Sequence, residues 1–163
     1  MYGTLFPLTD AEVEACMREA LIEARLAGEQ GELPIGAILV VDGRIVARGH
    51  ARHRQARSQL AHAELQALLA GGDSLWTGYE GAVLVTTSEP CPMCLGAAVM
   101  ADVPHVVFAA HDAVVHSAQT VAENPYVRRH IATYRGGVLE DEARTLIAEF
   151  DPALLRYMTT GTT

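Results

Sequence analysis

His62, Glu64, Cys91 and Cys94 are the residues of this chain whose types and spacing could do chemistry. Cys91-Pro92-Met93-Cys94 follows Pro90, and proline favours the first turn of a helix, where its missing N–H costs nothing. A spacing of three puts both sulfurs on one side of that turn. Unpaired N–H groups and the positive end of the helix dipole favour thiolate over thiol. Two thiolates offer Zn²⁺ bonds of about 2.3 Å, and a neutral imidazole from His62 adds a third of about 2.0 Å.

Counting ligands separates structural from catalytic zinc. A closed structural site needs four protein ligands, and the remaining cysteine, Cys16, lies far away in the sequence, where it reads as an ordinary buried thiol. Three ligands leave a position for water, whose pKa the metal lowers toward neutrality. Glu64, two residues after His62, is too close to be an easy fourth ligand. It can reach that water and pass the proton to a substrate nitrogen. Other readings exist for the parts. A lone Cys-x-x-Cys also suits a thioredoxin-type redox pair, which needs no upstream His-x-Glu. A structural zinc would need a further histidine, and His62 alone would pass for a surface or core residue.

Two helix starts must bring these groups together. Thr9 to Ala27 reads as a helix, with Thr9 or Asp10 as cap, Glu12 three residues on, and Val13, Met17, Ala20, Leu21 and Ala24 on one face. Ile35 to Val41 and Arg44 to Gly49 flank Asp42-Gly43 and read as a hairpin. Residues 50–60 are polar and arginine-rich and read as a loop. A helix from His62 to Ala70 closes at Gly71-Gly72. Ala82 to Thr87 is a third strand, and a helix runs from the Pro-Cys motif to about Ala101. His105 to Ala110 is a fourth strand. Residues 111–130 are ambiguous. Ile131 to Val138 reads as a fifth strand, Glu140 to Phe150 as a helix, and a short tail starts at Asp151. Strands alternating with helices predict an α/β fold, a mixed sheet with helices on its faces. No repeat or linker interrupts residues 1–163, so a single domain is expected.

Composition narrows the setting. The 163 residues carry a net charge of −8, and all 12 basic residues are arginine. Acidic domains are poor general binders of phosphate backbones. Arg52, Arg54 and Arg57, and then Arg128 and Arg129, are the local exceptions; they read as solvated charges that an anion or a nucleic-acid loop could use. No apolar run approaches the roughly 20 residues of a membrane span, and the N-terminus shows no basic segment followed by an apolar one. A cytoplasmic location is the expectation, with no membrane partner.

His62-Ala63-Glu64 and Pro90-Cys91-Pro92-Met93-Cys94 resemble the H-x-E…P-C-x-x-C signature of the zinc nucleobase deaminases. The resemblance extends through Pro34-Ile35-Gly36-Ala37 and Gly49-His50 upstream, and through Val106-Val107-Phe108 to Gly137-Val138-Leu139 downstream. It implies a cytidine deaminase-like three-layer α-β-α fold with a five-stranded mixed sheet. It implies hydrolytic removal of an exocyclic amine, with Zn²⁺ as cofactor and Glu64 moving protons. It also implies a homodimer, and a substrate held near Ile35, His50, Ala63 and Pro90. The chain looks like guanine deaminases around Ser88 to Ala97, like tRNA adenosine deaminases around Phe108 to Ala113 and Gly137 to Glu142, and like fungal-type cytosine deaminases at Pro34-Ile35-Gly36 and Val103-Pro104.

One departure bears on the substrate. Such relatives carry asparagine where this chain has Ala51, and that asparagine commonly hydrogen-bonds the base. Its loss implies a different substrate, a substitute contact from His50, Arg52 or Gln55, a weakened enzyme, or a loop shifted by a residue or two. With the acidic balance and the acids Asp141, Glu142, Glu149 and Asp151 near the C-terminus, this favours a free nucleobase, nucleoside or related amino-heterocycle over tRNA adenosine. A zinc-stabilised module without catalysis is a third reading, which the intact Glu64 argues against.

Overall fold

The computed structural model describes residues 5–162. Helix α1 spans Asp10–Glu29 and opens with a full capping box, Thr9 and Glu12 each bonding the other's backbone N–H. The hairpin follows as β1 (Gly36–Val41) and β2 (Arg44–His50). Asp42 and Gly43 both have positive φ, 49° and 72°, the twist that a two-residue hairpin turn requires. Then come α2 (His53–Ala56), α3 (Ala63–Ala70), α4 (Gly72–Gly78) and a 3₁₀ turn at Tyr79–Gly81. Strand β3 (Val83–Ser88) leads to α5 (Pro92–Met100), and β4 (His105–Ala110) to α6 (Ser117–Glu123) and α7 (Pro125–His130). Strand β5 (Thr133–Arg135), α8 (Glu140–Phe150) and α9 (Pro152–Thr160) complete the order.

The sheet order is β2-β1-β3-β4-β5, with β1 antiparallel to β2 and β3, and β3, β4 and β5 parallel. Every residue of β1, β3 and β4 is buried, as expected for strands covered on both faces. Val13, Met17, Ala20 and Ile147 pack with Ile38, Val83, Val85 and Val107 on one face, under α1 and α8. Ala63, Ala67, Leu95 and Ala98 pack with Ala37, Leu39, Leu84 and Val106 on the other, under α3 and α5. This is the mixed five-stranded, three-layer arrangement expected. No helix among the described residues is long and apolar enough to cross a membrane.

Helix α3 ends at Ala70 and Gly71 caps it through Ala67 O, as expected, and a separate helix, α4, begins at Gly72. Three local expectations change. Residues 50–60 contain α2. The fifth strand is shorter than Ile131 to Val138, because Ile131 caps α7 and Gly137, at φ 82°, breaks the regular ladder, although Gly137 and Val138 N–H still bond Ala109 O and Phe108 O of β4. The tail is helical: Asp151 accepts from Leu154 N–H and Pro152 takes the first turn. The ambiguous stretch 111–130 holds α6 and α7, the second opened by Asn124 as cap and Pro125.

Candidate active site

Sheet register brings the site residues to one edge. Gly36 pairs with His50 in β2, Ala37 with Thr86 in β3, and Ser88 with Ala110 in β4. Because β1 runs antiparallel to β3, its start lies beside the carboxyl end of β3. Ala51 N–H donates to Ile35 O at 3.0 Å, and Gly36 N–H to Thr87 Oγ1 at 3.0 Å. Ile35, Ala51 and Ser88 therefore share one rim. Gly49 lets α3 approach: a Cβ there would sit 2.3 Å from Ala63 O, so any larger residue would lift the helix that carries His62 off β2.

Two of the candidate ligands are themselves helix caps. His62 precedes α3 and Cys91 precedes α5, both with extended backbone and neither side chain making a capping hydrogen bond. Their carbonyls accept the first helical bonds, from Gln66 N–H at 3.1 Å and Leu95 N–H at 2.9 Å, which leaves imidazole and thiol free to converge. Cys94 sits one turn into α5 and is fully buried. Both helix dipoles point their positive ends at this spot.

His62 Nδ1 lies 3.5 Å from Cys94 Sγ and 3.7 Å from Cys91 Sγ. A tetrahedral zinc with bonds of about 2.3 Å to sulfur and about 2.05 Å to nitrogen separates S from N by about 3.6 Å. The two distances bracket that edge, so the donor set fits zinc in kind and in spacing. Among the described residues, His62, Cys91 and Cys94 are the group of three that could hold a metal ion. A hydrogen bond to the backbone of Gln59 steadies the His62 ring, as metal-binding imidazoles require.

The electrostatics agree with a site built for thiolate. Hydrogen bonding from Cys94, and then from His62, lowers the Cys91 thiol to about 4 despite burial. The same shared proton, with burial, raises Cys94. The hydrogen bond to Cys91 raises His62. Glu64, 3 % exposed, is raised by burial, and a carboxyl held up in this way suits proton exchange.

A cavity of about 180 Å³ opens beside these residues. Of the residues expected around the substrate, Ile35 and Ala63 line it; His50 and Pro90 do not. His50 Nδ1 bonds Glu23 of α1 at 3.0 Å, and the Pro90 carbonyl accepts from Ser117 Oγ at 2.6 Å. Their neighbours Ala51 and Glu89 reach the cavity instead. His53, Asp112 and Leu154 also line it and went unforeseen. Asp112 was findable, since it follows the carboxyl end of β4, where open α/β sheets place ligands. Burial, and then nearby Glu89, raise its carboxyl, and Oδ1 accepts Val114 N–H at 2.8 Å. Leu154 comes from α9, a helix that had no apolar signal tying it to the site.

Comparisons with known proteins agree with this geometry. The cytidine and deoxycytidylate deaminase zinc-binding region matches residues 10–110. The tRNA-specific adenosine deaminase of Bacillus subtilis is 41% identical over 140 residues, covering 84% of this chain and 87% of the relative. Among solved structures, a tRNA:A34 deaminase superposes with a TM-score of 0.72 at 34% identity, over 81% of this chain and 98% of that one. The guanine deaminase of Nitrosomonas europaea gives 0.70 at 29% identity, over 86% and 85%. Such relatives are named as deaminases, and the matched family region is a zinc-binding one that contains the zinc-fitting trio of this chain. The chain therefore belongs to the cytidine and deoxycytidylate deaminase family, as a zinc-dependent enzyme that hydrolyses C–N bonds of cyclic amidines.

Proposed function

We propose that the protein deaminates adenosine to inosine in tRNA, with His62, Cys91 and Cys94 holding the zinc and Glu64 moving the protons. The observation that carries this reading is the 41% identity to a tRNA-specific adenosine deaminase along nearly its whole length. It reverses the order in which the sequence ranked its two substrates.

Three of the four acids that weighed against RNA are placed away from the cavity, while Asp151 lies in the groove that Arg54 lines. Asp141, Glu142 and Glu149 line a groove with Arg18 and Arg25 of α1, and Arg25 forms a bidentate pair with Glu149. Arg54, by contrast, shares a groove with His53 and His62 at the cavity mouth. A phosphate backbone needs local positive charge, which Arg54 offers here beside the acids Glu32 and Asp151 of the same groove. The cavity is of a size for a single ring system, so an RNA base must be turned out of its stack to enter.

Bound zinc supplies Lewis-acid activation of water near neutral pH. Glu64 takes a proton on its raised carboxyl and delivers it to the substrate, whose amine leaves as ammonia. Tight burial keeps that proton from solvent. The same reading includes a single domain in the cytoplasm that acts as a homodimer. The exposed Trp76 and Met100, 88% and 73% accessible beside one shallow apolar groove, support self-association.

The second reading is a free base such as guanine, favoured by Ala51. One experiment separates the two. Purified protein is incubated with an anticodon stem-loop bearing adenosine at the wobble position, and in parallel with guanine, cytosine and adenine. Inosine in the RNA by mass spectrometry is the expected result. Ammonia from a free base with none from RNA would transfer the assignment to the second reading.

A further inference from the structure

The cavity beside the metal trio has few polar groups free to hold a ring. Glu89 already accepts from Asp112 N–H, Ala118 N–H and Tyr134 Oη. Asp112 Oδ1 is taken by Val114 N–H. Glu64 is needed for proton transfer. On the facing rim Ile35 is aliphatic and Ala51 offers only a methyl group. The residues the sequence suggested in its place are engaged elsewhere. His50 bonds Glu23, and Arg52 Nε donates to Gln55 Oε1 at 2.7 Å; none of these lines the cavity.

His53 differs from them. It lies two residues beyond Ala51, opens α2 and lines the cavity. Its ring stands edge-on to His62, with centroids 5.0 Å apart and planes at 66°. Nδ1 is buried and has no hydrogen-bond partner, a condition that native structures seldom carry without a functional reason. The backbone around it is fixed, because Arg54 N–H and Gln55 N–H both donate to the Glu32 carboxylate, at 3.0 and 2.8 Å. The main chain is thus held in place while Nδ1 is left without a hydrogen bond. The His Cβ–Cγ torsion is soft, and a neutral imidazole offers one donor and one acceptor. Those are the groups that a heterocycle's edge requires.

We propose that His53 supplies the hydrogen bond that orients the substrate heterocycle beside His62, the contact that Ala51 does not make. This rests on the deaminase reading of the pocket. His53 sets affinity and specificity; it is outside the metal trio and takes no part in proton transfer.

The test compares the full-length zinc-loaded protein with His53→Ala and His53→Gln. The probe is an anticodon stem-loop with purine riboside in place of the wobble adenosine, which lacks the leaving amine. Fluorescence anisotropy reads affinity, elemental analysis reads zinc, and thermal unfolding reads the fold. His53→Ala is expected to keep stoichiometric zinc and the wild-type unfolding midpoint, and to bind about ten- to a hundredfold more weakly. His53→Gln, which also carries a donor and an acceptor, recovers part of that loss. Equal affinity of wild type and His53→Ala overturns the proposal. So does zinc loss from His53→Ala, which would mean that His53 acts by supporting His62. If the wild type binds no stem-loop, the tRNA reading fails, and the comparison is repeated with free purine and pyrimidine bases. Equal affinities there, or no binding at all, likewise overturn the role of His53.

Discussion

Tyr134 Oη on β5 donates to Glu89 Oε1, 3.1 Å away, reaching past β4 to the end of β3. The same carboxylate accepts Asp112 N–H at 3.1 Å and Ala118 N–H at 3.3 Å. Glu89 is 7 % exposed and immediately precedes the Pro-Cys motif. One buried group thus ties the short edge strand, the cavity wall and the cysteine turn together. Tyr134→Phe removes one of its three donors. A hydrogen bond to a charged group is worth about 1.5–3 kcal/mol, and urea denaturation should show a loss in that range. An unchanged midpoint would mean that the bond contributes nothing.

On the proposed assignment, zinc is held by the trio that could bind a metal ion among the described residues. Cys91→Ser and Cys94→Ser are each expected to lose stoichiometric zinc, and activity with it, because a serine hydroxyl is not a thiolate donor at neutral pH. Elemental analysis of the purified variants is the direct check. Full zinc in both would show that the ligands lie elsewhere.

Glu64 separates metal binding from proton transfer. Glu64→Gln keeps the size of the side chain and the metal trio but cannot accept the proton. Zinc content should stay at the wild-type level while turnover falls roughly 10²–10⁴-fold. Near-normal turnover would remove Glu64 from the chemistry.

Acid should act on the tie between α8 and the end of β4 through Glu140. Burial pushes this carboxyl up, but hydrogen bonds from His111 Nδ1 at 3.0 Å, His111 N–H at 3.1 Å and Arg144 Nε at 2.9 Å outweigh it. The net effect holds it below its ordinary 4.5. A carboxyl with a depressed folded pKa adds stability above the unfolded value and loses it as pH falls through the folded one. Wild-type stability should therefore decline on acidification below about pH 4.5 more steeply than that of Glu140→Gln. Thermal midpoints across this range decide the matter, and parallel curves for the two proteins would count against it.

The elements were legible wherever local chemistry settles them. Thr9 and Glu12 announced α1 because a capping box acts within four residues. Asp42-Gly43 announced the hairpin because few residue pairs accept two positive φ values. Gly71-Gly72 announced the end of α3 at Ala70, but not that a separate short helix starts at Gly72. The Asp151-Pro152 pair carried the cap chemistry of α9 in plain view, yet no apolar pattern pointed to where that helix packs.

The candidate metal trio and its neighbouring carboxylate were legible in the sequence alone. His62 with Glu64, and Cys91 with Cys94, each fall within one helical turn, so residue type and spacing suffice to single them out. The wall of the candidate cavity was decided by tertiary structure. His50 and Pro90 are drawn away by partners on α1 and α6, while His53, Asp112 and Leu154 enter from three separate segments. Sheet register and helix docking, which are set by burial across the whole chain, bring them to one rim. Spacing along the chain carries no record of that meeting.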